Sequence, residues 1–328
     1  MYQTTRGFQQ KIVTESLTYV VALLIAVSFW FVSYSLGHEE SYEFTFLGWS
    51  MKMPALWAYL LGFVLHWGIS LLLIQGNNVF SVIRVRTTIH SSLYLLLVAC
   101  MPALHYLSVE LVAFALTCIS LHLLFQRFQD EFSQGMAFHQ YALVGIASLF
   151  YVKELFLVPL FWLGAGLFRA STLRSFIASL LGLLLPYWFV AGYLSLTNQM
   201  NLLYDPFVSL FTWSGFSWEF TPWPAYSILL LLLLFVVSAI HTLINKYEDK
   251  IQTRAYLHYI IFAGDVLFII LCIWPTSCTG FLPFCCISVG YIYGHFLAVT
   301  NDRFSHFFLI LSFIAMLILS ILNLWMLF

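Results

Sequence analysis

Apolar runs of bilayer length alternate along this chain with short polar joints. The pattern is clearest from His90 to Asn198, which reads HSSLYLLLVACMPALHYLSVELVAFALTCISLHLLF, a polar break, YALVGIASLFYVKELFLVPLFWLGAGLF, a second break, and FIASLLGLLLPYWFVAGYLSL. The joints ALHYLSVEL and FYVKELF are tight, whereas QRFQDEFSQG and RASTLR are polar and carry arginine. Such alternation describes helical hairpins sewn through lipid. Read along the whole chain, it predicts spans over Ser16–Leu36, Met53–Ile74, Thr88–Leu107, Val109–Phe125, Met136–Tyr151, Leu155–Phe168, Leu173–Leu196, Ala225–Ile244, His258–Trp274, Phe281–Val299 and Ser305–Leu327. A helix crosses about 30 Å of hydrocarbon with about 20 residues, and the shorter runs only just reach. The runs lack period-2 alternation, so helices rather than barrel strands satisfy the backbone. The expected fold is an all-α polytopic transmembrane bundle of about eleven spans. It forms one integral membrane domain over residues 1–328: a polar segment 1–15, spans 1–7 over 16–196, an outer loop 197–224, and spans 8–11 over 225–328.

Composition sharpens this picture. Hydrophobic residues make up 62% and charged residues 8% of the chain, against about 25% charged in a soluble domain. The solvent for most of this surface is therefore lipid. A net charge of -1 lacks the basic footprint that nucleic-acid binding needs. The first apolar run is too long for a secretory leader and has no small-residue cleavage site, so it reads as a retained span.

Charge then orients the bundle. With the N-terminus in the cytoplasm, Arg6, Lys11, Arg84, Arg86, Arg127, Arg169, Arg174, Lys246, Lys250, Arg254 and Arg303 fall inside, and only Lys52 and Lys153 fall outside. This is the bias of an inner-membrane protein with its C-terminus outside. The outer side collects Glu39, Glu40, Glu43, Glu110, Glu154, Asp205 and Glu219, with Trp49, Trp213, Trp218 and Trp223.

The candidate chemistry follows from that sidedness. The loop GHEESYEFTFLGWSMK carries Glu39, Glu40 and Glu43, a carboxylate cluster suited to metal binding or general-base work, or else a solvated acidic loop. Glu110 and the pair Lys153–Glu154 sit in tight outer turns, near His105, where a lysine anchors an anionic head group or merely snorkels. Asp265 lies in the apolar stretch YIIFAGDVLFIIL, where a carboxylate costs roughly 2.5 to 3.5 kcal/mol and seeks a partner or a wet cavity. His258 is seven residues earlier on the same helical face, and His295 is the third member of a conceivable polar track. No histidine pair has metal-ligand spacing, and no phosphate-loop, nucleophile-elbow or dinucleotide motif occurs. The sequence does not identify a cofactor.

One block carries a resemblance. GIASLFY (Gly145 to Tyr151), LVPLFWL (Leu157 to Leu163) and LLGLLLPYWF (Leu180 to Phe189) resemble an uncharacterised family of Bacteroidota inner-membrane proteins over roughly residues 75 to 200. More distantly, the block resembles the membrane module of GT-C glycosyltransferases, which use polyprenyl-phosphate sugars and keep an acidic catalytic residue in the first outer loop. That resemblance implies a catalytic role for Glu39, Glu40 or Glu43. It also implies a lipid-linked sugar or lipid as partner at an outward cavity, with Glu110, Lys153, Glu154 and His105 as binding residues. Two other readings stand beside it: a proton-coupled transporter using Asp265 and His258, and a non-catalytic partner of an envelope complex.

Overall fold

The computed structural model describes residues 8–37, 39–211, 222–245, 247, 249–274 and 278–325. Arg6, Trp213, Trp218, Glu219 and Lys246 lie outside them. The described chain is almost wholly helical: α1 (Phe8–Thr14), α2 (Leu17–Leu36), α3 (Ala55–Phe80), α4 (Ile89–Ala99), α5 (Val109–Gln126), α6 (Gln134–Phe150), α7 (Leu157–Leu167), α8 (Leu173–Leu196), α9 (Asn201–Phe211), α10 (Pro222–Ile244), α11 (Ile251–Ile273), α12 (Leu282–Val299) and α13 (Arg303–Trp325). A two-stranded hairpin, β1 (Ser41–Phe46) and β2 (Trp49–Pro54), precedes α3.

Every expected span has its helix. Among the described residues, eight are long and apolar enough to cross a membrane: α2, α3, α5, α8, α10, α11, α12 with its leading 3-10 turn, and α13. The chain is thus a multi-pass helical membrane protein. The other three expected spans are shorter, with α4 and α7 of 11 residues each and α6 of 17.

Two compact units interleave along the sequence. The first comprises Met1–Glu39, Tyr59–Tyr106 and Glu219–Phe328; the second comprises Glu40–Ala58 and Leu107–Trp218. In the first, α12 is the centre, packed by α4, α10 and α11. Its span is 89% buried, against 22% for α2 at the periphery. A helix apolar on all sides is expected inside a bundle. Small residues bring the backbones close: a Cβ on Gly290 would lie 2.8 Å from the His90 carbonyl oxygen, and one on Gly294 would lie 3.2 Å from the His90 Cα. Gly290 and Gly294 make a G-x-x-x-G face, the arrangement that lets helices approach in lipid.

The second unit is centred on α6, which packs against α5 and α8. Glycine again sets the distance. A Cβ on Gly182 of α8 would stand 2.2 Å from the Phe138 carbonyl oxygen, and one on Gly145 of α6 would stand 2.6 Å from the Leu183 carbonyl oxygen. At one end, the buried Arg127 guanidinium ties three segments together. Nε donates to Ser133 Oγ (3.1 Å), Nη1 to Gln140 Oε1 (2.7 Å) and Nη2 to the Ala170 carbonyl (3.2 Å). Arginine, read from sequence as a topology signal, is here also a staple, because its planar fork reaches three acceptors at once.

These contacts predict a sharp positional contrast within α8. Gly182→Ala forces overpacking against a carbonyl and costs about 1–3 kcal/mol. Gly192→Ala, where a Cβ meets open space, leaves the thermal midpoint in detergent unchanged. Equal midpoints for the two variants would refute the close backbone contact.

Candidate functional site

The second unit holds a broad concavity, and its parts come from two joints. The first is the hairpin. In SYEFTF the residues Tyr42, Phe44 and Phe46 are half-buried, and Ser41, Glu43 and Thr45 are exposed. This is the period-2 pattern of a half-solvated strand. The segment expected to be an acidic loop is folded into paired strands. Leu47 (φ 46°) and Gly48 (φ 80°) both take left-handed backbone at the turn, as a tight I′ hairpin requires. Phe46 stacks on Phe150 of α6 with ring centroids 4.2 Å apart, and Gly48 leaves just enough space for Leu202 of α9.

The second joint is the turn from α8 to α9. Asn198 adopts left-handed backbone (φ 54°), and the Gln199 N–H closes back on the Leu194 carbonyl at 2.9 Å, a helix stop that asparagine tolerates. α9 then packs on the 3-10 turn Val152–Phe156. Between hairpin and joint opens a cleft of about 880 Å³. Phe46, Trp49 and Tyr193 supply aromatic faces; Asn198, Gln199 and Asn201 supply side-chain amides; no charged residue lines it. Amides both donate and accept, and exposed aromatic rings offer flat apolar surface with a polar edge. Such a lining suits an uncharged ligand rich in hydroxyl groups.

The residues singled out from sequence fall elsewhere. Glu39, Glu40 and Glu43 are all exposed. Glu43 sits opposite Lys52 in the hairpin register, a cross-strand pair of opposite charge. None of the three lines the cleft. Glu110 and Lys153 do come together: Glu110 occupies the first turn of α5, capped by Ser108, and Lys153 acts on it electrostatically. The Lys153 ammonium also stands 5.7 Å from the Tyr151 ring centre.

Glu154 parts company with its neighbour. It is fully buried in the joint between α6 and α7. One carboxyl oxygen accepts from Thr117 Oγ1 at 3.0 Å, and the other has no partner among the described residues. Burial pushes its pKa from the ordinary 4.5 up to about 8, against the opposing pull of the Thr117 hydrogen bond. The carboxyl therefore stays protonated at neutral pH.

In the first unit, His105 is fully buried and stacked on Trp30, with ring centroids 3.8 Å apart, while Trp30 Nε1 donates to its carbonyl at 3.0 Å. The intramembrane trio does not converge as one track. Asp265 is exposed, His258 is half-buried, and His295 is buried with Nε2 3.3 Å from an Asp249 carboxyl oxygen. α11 buries a stripe through Leu257, Ile260, Ile261, Gly264, Leu267, Phe268 and Leu271, and Asp265 lies off that stripe.

Sequence reasoning missed the cleft residues, apart from Trp49 as a member of an aromatic belt. The available signals were the alternation of SYEFTF and WSMKMP around Leu47–Gly48, and the polar cluster NQMN directly after span 7. No protein-family model matches the chain, and neither does any curated protein or solved structure.

Glu154 makes stability pH-dependent in a defined direction. Its folded pKa lies above the unfolded one, so unfolding releases a proton between about pH 4.5 and 8. Stability then falls as pH rises through that window, by up to about 1.4 kcal/mol per pH unit. In thermal melts of detergent-purified protein, Glu154→Gln flattens that decline. A wild-type midpoint that rises with pH across the window, or a variant with an undiminished slope, would contradict the buried neutral carboxyl.

Proposed function

We propose that the chain is an inner-membrane envelope protein that binds the sugar of a lipid-linked saccharide, or a lipid head group, at the outer face. In this reading it crosses the bilayer eleven times, with a cytoplasmic N-terminus and an external C-terminus. The distribution of arginine and lysine supports that orientation. The shortness of α4 does not oppose it, because nearly all of α4 is buried in protein, where a helix need not match the lipid thickness. With this orientation, the hairpin and the α8–α9 joint both face outward.

The uncharged aromatic and amide lining of the cleft is the observation that carries the reading. Sugar rings present apolar C–H faces together with hydroxyls that donate and accept, and the cleft offers a counterpart for each. The distant resemblance to GT-C membrane modules points to the same ligand class, a polyprenyl-phosphate sugar. Lys153, beside Glu110, is then the cation that meets the phosphate-bearing part.

Binding of a polyprenyl-phosphate hexose to the protein in nanodiscs tests this. The double variant Trp49→Ala, Asn201→Ala loses one ring face and one amide and binds about tenfold more weakly. Wild-type protein that holds sugar-free polyprenyl phosphate as tightly as the sugar-bearing lipid would sink the proposal.

A further inference from the structure

The first unit contains a second concavity, distinct from the outer cleft, where α1 meets α2. α1 is pinned in place by one buried side chain. Gln9 Nε2 donates to the carbonyls of Leu297 (2.9 Å) and Thr300 (2.7 Å), and Ser305 Oγ donates to Gln9 Oε1 at 2.8 Å. Thr87 Oγ1 donates to the Val13 carbonyl. These bonds set the short helix across the end of the bundle and fix the elbow that leads into α2.

Beyond the elbow runs a groove of about 400 Å³. Its walls are Leu17, Val21 and Ile25 of α2, Leu93 and Leu96 of α4, and Phe313 of α13. The stretch from Leu17 to Ile25 rises about 12 Å along the helix, so the groove enters the hydrocarbon layer. Its two hydroxyls turn away into backbone: Thr18 Oγ1 donates to the Ile12 carbonyl at 2.7 Å and Ser92 Oγ to the Thr88 carbonyl at 3.1 Å. The walls are thereby left apolar, and Leu17 (62% exposed) and Val21 (47%) open them sideways.

The mouth is different. Lys11 and Glu15 both line it and both are exposed. They are one helical turn apart, yet their side chains form no ion pair with each other or with any described residue. Opposite charges left unpaired beside an apolar groove, just before the first span, sit at head-group depth whichever way the protein faces. We infer that this groove holds one amino-phospholipid: an acyl chain lies along α2, Lys11 meets the phosphate, and Glu15 accepts from the primary ammonium. A purely anionic lipid would bring Glu15 a repelling charge. A quaternary choline head would bring it no N–H to donate. The zwitterion with a primary amine satisfies both side chains.

Native mass spectrometry of the delipidated full-length protein, titrated separately with phosphatidylethanolamine, phosphatidylcholine and phosphatidylglycerol, tests the inference without touching the outer cleft. Wild-type protein retains phosphatidylethanolamine at least about fivefold better than the other two. Glu15→Gln brings that lipid down to the phosphatidylcholine level. Lys11→Gln weakens all three, and Val21→Trp, which fills the groove, weakens all three further. Should Val21→Trp fail to fold, the two variants at exposed charges still decide the matter. Equal retention of the three lipids, a preference for phosphatidylglycerol, or a preference that survives both charge variants would overturn the site.

Discussion

In hydrocarbon, apolar side chains gain nothing by leaving the solvent, because the solvent is as apolar as they are. Helices are then held by close packing and by buried hydrogen bonds, and everything in this protein rests on that constraint. Gly290 and Gly294 bring α12 against the backbone of α4 at His90, and Gly145 and Gly182 bring α6 and α8 together. Each unit is organised on one helix, and in each the contact distance is set by the lack of a Cβ. Where the chain does bury charge, as at Arg127, three acceptors meet it.

Interiors built this way have little room for chemistry. α12 contains no Asp, Glu, Lys or Arg, and its one imidazole, His295, lies beside Asp249. Polar function is displaced to the ends of the bundle, where joints and short elements break the apolar pattern. The aromatic and amide cleft forms at one such break, from a hairpin and a helix stop. The groove under α1 forms at another. Glu154 marks a third, where a tight turn folds its carboxyl inward while Lys153 stays at the surface beside Glu110. The side chains of that dipeptide differ in setting: one is a buried carboxyl held by Thr117, and the other acts on Glu110.

How much of this was legible depended on whether the signal was local. The spans were legible because a continuous apolar run has no other stable home, and every expected run contains a helix. Their lengths were less so: α4 and α7 are cut short by 3-10 turns next to Pro102 and Lys153–Glu154, which hydropathy does not register. The hairpin was written in the alternation of SYEFTF, but its glutamates made it look like solvated loop. The cleft was hidden because its walls are about 150 residues apart along the chain. Asp265 shows the limit of periodicity. Arg254, His258 and Asp265 share one face of α11, but spacing alone does not tell whether that face meets a partner or the surface, and the residue expected in the interior is exposed. The Gly290–Gly294 spacing was readable as a packing face; the approach of Gly182 to Phe138 was not, since only the fold brings them together.

The central claim is that the aromatic and amide cleft faces outward while the elbow before the first span faces the cytoplasm. Variants that add one cysteine to a Cys272→Ser background, in which the five remaining native cysteines are buried, test this most directly when labelled in intact cells with a membrane-impermeant maleimide. The account predicts that Asn198→Cys is labelled in whole cells and that Glu15→Cys is labelled only after the membrane is opened. Labelling of both from outside, or of Glu15→Cys alone, would contradict it.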